Sequence, residues 1–212
     1  MKSYQNLTYC GKLRRLAKLA RTALDAYGLG NARLELLRDT GNRLFRVVEP
    51  HPTPTPVTEG LFREGVYLLR LLQPGYQTPE AAVSELQWLS ALRTEADLPI
   101  PEPMLTREGA WIAEVAVPFV PGSCNVSLVR WVKGRMIKHG VRPGHFRAAG
   151  RSMARLHDHA AHWQFAGRRG SAWSSTHQAS FMPVQMATGF SGWLHSNTPN
   201  GSVIGPGRGK AN

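Results

Sequence analysis

Hydrophobic residues recur at three- and four-residue intervals in three stretches of this 212-residue chain, and fall in short alternating or unbroken runs between them. The first stretch, residues 12–27, sets Leu13, Leu16, Ala17, Ala20, Ala23, Leu24 and Tyr27 on one stripe. Lys12, Arg14, Arg15, Lys18 and Arg21 lie mostly off it. This predicts an amphipathic helix ended by Gly28 and Gly30. A basic helix of this kind can lie on a membrane or on nucleic acid, but the commoner use of such a stripe is packing on a neighbouring element.

Two apolar, partly β-branched runs follow, RLELLRDTG and NRLFRVVE, and Thr40, Gly41 and Asn42 between them predict a hairpin with a tight turn. The segment EPHPTPTPVTEG places Pro50, Pro52, Pro54 and Pro56 at alternate positions, which no ladder strand tolerates, so it reads as an exposed extended connection. GVYLLRLL, residues 65–72, is a third strand. Thr78, Pro79 and Glu80 supply a cap, a proline at the first helical position and a first-turn acid, predicting a helix from about Pro79 to Arg93 with Ala82, Leu86, Leu89 and Leu92 as its stripe. After LPIPEP, residues 103–119 read as another hairpin turning at Glu108 and Gly109, and VSLVRWVKG continues the sheet. From Pro143 the period returns to that of a helix, with Phe146, Ala149, Met153, Leu156 and Ala160, ending near Trp163. Residues 166–212 are rich in Gly, Ser, Asn and Pro, contain no acid and hold neither period, which predicts a disordered tail.

The predicted class is α+β: a five-stranded antiparallel sheet with one inserted helix, then the first helix of an incomplete helical lobe. The expected divisions are an amphipathic helix in residues 1–30, a sheet lobe in 31–134, a helical part in 135–165 and the tail from 166 to 212. No run approaches the roughly 20 apolar residues of a membrane-spanning helix, the basic start lacks the apolar core of a signal peptide, and a cytoplasmic setting is expected. Cys10 and Cys124 are the only cysteines, too few for a disulfide framework or a Cys-rich zinc module.

The net charge of +12 is unevenly placed. Residues 1–114 hold 14 Lys and Arg against 13 acids, whereas residues 115–212 hold 12 against the single Asp158. A half this basic can attract nucleic acid or another anionic partner, and a binding module of that kind is the alternative reading of the chain. The same lack of acids removes the carboxylates that a metal-dependent enzyme needs.

Phosphoryl transfer works largely by positioning and charge neutralisation, and in kinase folds a cation on the third strand holds phosphates while a helix carboxylate holds the cation. Arg70 stands on the third strand here, in a row with Val66, Leu68 and Leu72, where a cation needs a partner. Glu85, on the edge of the next helix's stripe, can supply it, unless Arg70 merely snorkels and Glu85 is solvated. Gly41 in the first hairpin turn suits backbone amides that approach phosphates closely. His157, His159 and His162 raise the question of a metal, but only 159 and 162 share a helix face.

These residues resemble the aminoglycoside phosphotransferase and choline or homoserine kinase group of small-molecule kinases. The resemblance runs from about Ala23 to Gln164, through TGNRLFRV, YLLRLLQPGYQTPEAAVSELQWLSAL, LPIPEPMLTREG, LVRWVKGR and GRSMARLHDHAAHW. It implies that Thr40, Gly41 and Asn42 form the nucleotide-positioning loop, that Arg70 takes the place of the phosphate-binding cation and that Glu85 is its ion-pair partner. It also implies that Arg130, Trp131 and Val132 form the hinge offering backbone groups to adenine. The cofactor implied is ATP or GTP, and the acceptor an alcohol of a small molecule bound only in a complete homologue.

The chain departs from that pattern after Leu156. The group needs a His-x-Asp loop with an Asn five residues beyond the Asp, then another Asp-bearing segment for magnesium. His157, Asp158 and His159 stand in the wrong order, and residues 159–212 contain no Asp or Glu. The expectation is a truncated or frame-shifted, catalytically inactive member, with vestigial nucleotide binding and no magnesium site.

Overall fold

The computed structural model describes residues 4–39, 41–52, 60–73, 77–96, 98–134 and 140–163. Apart from Gly140, these belong to one compact unit made of residues 1–134 and 141–171. The expected tail, Thr40 of the turn, and Pro54 and Pro56 lie outside the described residues.

A short 3-10 turn, Tyr4–Asn6, precedes α1, Tyr9–Ala26. The helix starts three residues earlier than its stripe predicts, because Thr8 is the N-cap: its hydroxyl accepts from the Gly11 N–H at 3.2 Å. Strands β1 (Arg33–Asp39), β2 (Arg43–Val48) and β3 (Phe62–Leu71) come next, then α2 (Pro79–Glu95). Strands β4 (Pro103–Met104), β5 (Ala113–Ala116) and β6 (Ser123–Val132) complete an antiparallel sheet, and α3 (Pro143–His162) follows. The sheet order is β1-β2-β3-β6-β4, with β5 also on β6. This is the expected antiparallel sheet with its inserted helix, and among the described residues it has six strands, β4 being only two residues long.

β4 and β5 do not form the expected hairpin. Both lie along β6 instead, β4 at Leu128 and Val129 and β5 from Ser123 to Val126. The intervening turn closes on itself through Thr106 and Ala110, and Arg107 donates its N–H to the Ala26 carbonyl at 2.8 Å. The loop is therefore docked on the end of α1, which separates the two strands and leaves β6 to pair with each.

The main core lies between α1 and one face of the sheet. Leu16, Leu19, Ala20, Ala23 and Leu24 meet Phe45, Val47, Leu69, Leu71, Ala113, Val115, Val126 and Leu128. Leu19, outside the predicted stripe, is fully buried, while Leu13 is only half-buried: a helix lying flush on a sheet buries a broader arc than a narrow stripe, and Ala20 and Ala23 let the backbones approach. The Tyr27 hydroxyl donates to the Val126 carbonyl at 3.0 Å, and burial pushes its phenol up to about 12.

Residues opposite one another across the ladder share a face, so register sorts the sheet. Phe45, Leu69 and Leu128 form one row, toward α1. Leu44, Arg70 and Ser127 form the adjacent row, on the other face. Near the start of β3 the register shifts between Phe62 and Tyr67, at Gly65, whose φ of +64° a residue with a Cβ would adopt only with strain.

Along α2 the buried positions are Ala82, Leu86, Trp88 and Leu92, so Trp88 rather than Leu89 completes the stripe. The reason is α3. The Trp88 indole N–H donates to His159 Nδ1 at 3.1 Å, and Trp163 lies with its ring centroid 6.4 Å away. An indole can only donate, so His159 Nδ1 must accept and the ring proton sits on Nε2, which faces Glu95 Oε2 at 3.0 Å. Elsewhere α3 has no buried residue, and Phe146 and Met153 are 71% and 51% exposed.

Candidate nucleotide site

Arg70 is where sequence, fold and electrostatics converge. Strand alternation forces it onto the face away from α1, beside buried Leu44 and Ser127, where a guanidinium needs hydrogen-bond acceptors. It donates from Nε to Ser127 Oγ at 3.2 Å and from Nη1 to Glu85 Oε1 at 2.8 Å. Glu85 is fixed in turn by α2. The Thr78 hydroxyl caps that helix by accepting from the Ala81 N–H, Pro79 opens the first turn, and Gln77 Nε2 donates to Glu85 Oε2 at 3.0 Å. Both carboxylate oxygens are thus engaged. The side chains of Arg70 and Glu85 retain 18% and 17% exposure, so the pair is held at the margin of the interior rather than in open solvent.

The first hairpin turn stands at the same end of the sheet. Gly41 has φ +66°, and Asn42 Oδ1 accepts from the Gln73 N–H at 3.0 Å, tying the turn to the end of β3 just beyond Arg70. The geometry brings together Gly41, Asn42, Arg70 and Glu85. Ser127 and Gln77 are partners that sequence reasoning missed. A serine at a buried alternate position of β6 was the available signal for the first, and its use depends on knowing which strand lies beside β3.

Arg130, Trp131 and Val132 sit farther along, as the last three residues of β6. They remain in the ladder: Val132 pairs with Phe62, the Arg130 N–H donates to the Glu102 carbonyl at 2.8 Å, and Lys133 N–H donates to the Leu61 carbonyl at 2.8 Å. The Arg130 guanidinium is engaged with Glu102 at 3.0 Å and lies 4.6 Å from the Phe62 ring, where Arg93 stacks at 4.8 Å. Its side chain therefore tightens the junction of α2, β3 and β6.

Among the described residues, no three His, Cys, Asp or Glu are grouped so as to hold a metal ion. His159, one of the three histidines of the HDHAAH segment, is engaged in docking α3. Among the described residues no helix is long and apolar enough to cross a membrane.

Solved structures share this architecture. The chain matches the structure of a microcompartment-associated aminopropanol kinase with 27% identity and a TM-score of 0.57, over 76% of this chain and 46% of that one. It matches an amicoumacin kinase, solved in complex with AMP-PNP, Ca2+ and Ami, with 15% identity and a TM-score of 0.52, over 74% of this chain and 45% of that one. No family model matches the sequence, and no curated protein matches it. The chain thus has the kinase-like small-lobe fold, and these neighbours support its resemblance to the aminoglycoside phosphotransferase group. The matched region spans just under half the length of either kinase.

Proposed function

We propose that this chain is the nucleotide-binding portion of a small-molecule phosphotransferase, and that it transfers no phosphoryl group by itself. The observation that carries the reading is the 2.8 Å pair of Arg70 and Glu85, formed between the third strand and the inserted helix of a lobe whose fold is that of kinases. Arg70 would hold the phosphates of ATP or GTP, with the backbone of Gly41 and Asn42 covering them and Glu85 fixing the direction of the guanidinium. Bound nucleotide would supply the γ-phosphoryl group. The end of β6, from Arg130 to Val132, would border the base.

Support for inactivity comes from the sequence. A transferring phosphoryl group needs a base for the acceptor hydroxyl and carboxylates for magnesium, and no Asp or Glu follows Asp158. Among the described residues no three His, Cys, Asp or Glu are grouped so as to hold magnesium. The acceptor in a complete homologue is an alcohol of a small molecule, bound by elements beyond this lobe. The proposed roles by region are a packing helix in 1–30, the nucleotide lobe and hinge in 31–134 and the start of a helical lobe in 135–165, in a cytoplasmic setting that suits free Cys10 and Cys124.

Calorimetric titration of the intact chain with ATP and GTP tests the reading. Binding is expected, and Arg70→Ala should weaken it by about tenfold or more through loss of a charge-assisted contact. A folded chain that binds neither nucleotide at millimolar concentration would falsify the proposal. Turnover with ATP, magnesium and a panel of amino alcohols should stay at background, and turnover abolished by Arg70→Ala would refute the inactive assignment.

A further inference from the structure

We infer that the outer side of α1, together with the turn between β5 and β6, is a docking surface for an anionic phospholipid membrane, met from outside without a spanning segment. The apolar stripe that a membrane-lying helix would insert is spent on the sheet, where Leu16, Leu19, Ala20, Ala23 and Leu24 are buried. What α1 turns outward is charge. Arg14, Lys18 and Arg21, four and three residues apart, are exposed on the opposite side of the helix, a row of about 10 Å. Among the described residues none of the three is in an ion pair. Asp25, one turn beyond Arg21, and Glu114, whose carboxylate accepts from the Ser123 hydroxyl, are the acids on α1, β5 and β6, so the surface stays cationic.

The apolar part of the surface comes from another element. Residues 117–121, VPFVP, have no polar side chain, although a turn ordinarily carries them, and Pro118, Phe119 and Pro121 are exposed, Phe119 at 40%. Arg15, on the flank of α1, joins this tip to the basic row: its Nη1 donates to the Phe119 carbonyl at 2.8 Å and its guanidinium carbon lies 5.8 Å from the Phe119 ring centre. Between helix and tip runs a groove with Arg15, Lys18 and Thr22 on one wall and Val117, Pro118 and Phe119 on the other. A phospholipid has the matching halves, a phosphate for the cations and hydroxyl and hydrocarbon for the apolar wall. The tip is also suited to leaving water. Pro118 and Pro121 have no N–H to strand, the Val120 N–H donates to the Val117 carbonyl at 3.1 Å, and Arg15 takes the Phe119 carbonyl. A soluble polyanion would use the cations and gain nothing from this tip. The surface lies on the α1 side of the sheet, opposite Arg70, and the inference does not depend on the nucleotide reading.

The test is sedimentation of the intact chain with phosphatidylcholine vesicles, with and without about 30% phosphatidylserine, beside binding to polyglutamate, with circular dichroism confirming that each variant is folded. The chain should sediment with the anionic vesicles, stay in solution with phosphatidylcholine alone, and be released as salt is raised. Replacing Arg14, Lys18 and Arg21 together by Gln should weaken vesicle binding about a hundredfold, since each cation near such a surface contributes roughly fivefold. Phe119→Ser, at an exposed site, should weaken it about three- to tenfold and leave polyglutamate binding unchanged. A wild-type chain that fails to sediment with anionic vesicles would overturn the inference, as would full vesicle binding by the triple variant, which would place the attracting charge elsewhere. Vesicle binding indifferent to Phe119→Ser, or an equal loss on polyglutamate, would assign the surface to a soluble acidic partner and overturn it too.

Discussion

Replacing Glu85 by alanine removes the acceptor of two donors at once, Arg70 Nη1 at 2.8 Å and Gln77 Nε2 at 3.0 Å. Gln77 can turn to water, but Arg70 is left with the neutral Ser127 hydroxyl at 3.2 Å and a side chain only 18% exposed. Breaking a fully buried pair costs about 3–5 kcal/mol and an exposed one about 1 kcal/mol or less. The intermediate burial here places Glu85→Ala at about 2–3 kcal/mol, after the few tenths that alanine returns as a better helix former. Glu85→Gln retains an acceptor without the charge and should cost about half as much. Arg70→Met combined with Glu85→Leu takes both charges out of the aliphatic row and should return to within about 1 kcal/mol of wild type, because no unpaired ion remains. The assay is urea unfolding followed by far-UV circular dichroism, with the slope unchanged across the set and the coupling taken from the double-mutant cycle. Glu85→Ala within about 0.5 kcal/mol of wild type, together with an additive cycle, would refute the claim that this pair holds strand to helix.

Three further outcomes are expected. The Tyr27 phenol, raised by burial from 10.0 to about 12, stays protonated in the folded chain above the pH at which the unfolded chain ionises it. Its contribution is complete below pH 10 and is lost as pH rises toward 12, roughly 2–3 kcal/mol in all, and Tyr27→Phe should flatten the urea-stability profile in that window. Gly41→Ala forces a Cβ into φ +66° and should cost about 1–2 kcal/mol, read by the same unfolding assay, with no loss counting against a left-handed turn. Trp88→Phe strips His159 Nδ1 of its donor, where the histidine side chain is 8% exposed, and should lower amide-exchange protection in α3 by about 1–2 kcal/mol while β2 and β3 keep theirs. Equal protection in α3 would mean that the indole bond does not dock it.

The local pattern of the chain was enough for each element and for the central pair. Period-two runs, a Gly turn, a Thr-Pro-Glu helix start and a period of 3.6 each report how one segment meets a single environment, and the structure contains the corresponding strands and helices. Arg70 and Glu85 were readable together because the strand and helix that carry them are consecutive, and alternation alone decides which face the arginine takes. Relations between segments distant in sequence were decided only by the tertiary structure. Ser127 became a partner of Arg70 because β6 inserts beside β3; β4 and β5 separated because their loop docks on α1; Trp88 displaced Leu89 from the buried stripe because α3 brings His159 to its indole. Arg130 and Arg46 show the same limit most plainly, since both are cations near the end of a strand in the sequence. In three dimensions Glu102 and Phe62 hold the first, while the second reaches over Trp131 and faces Glu35, a difference set by register and side-chain packing, which no single segment encodes.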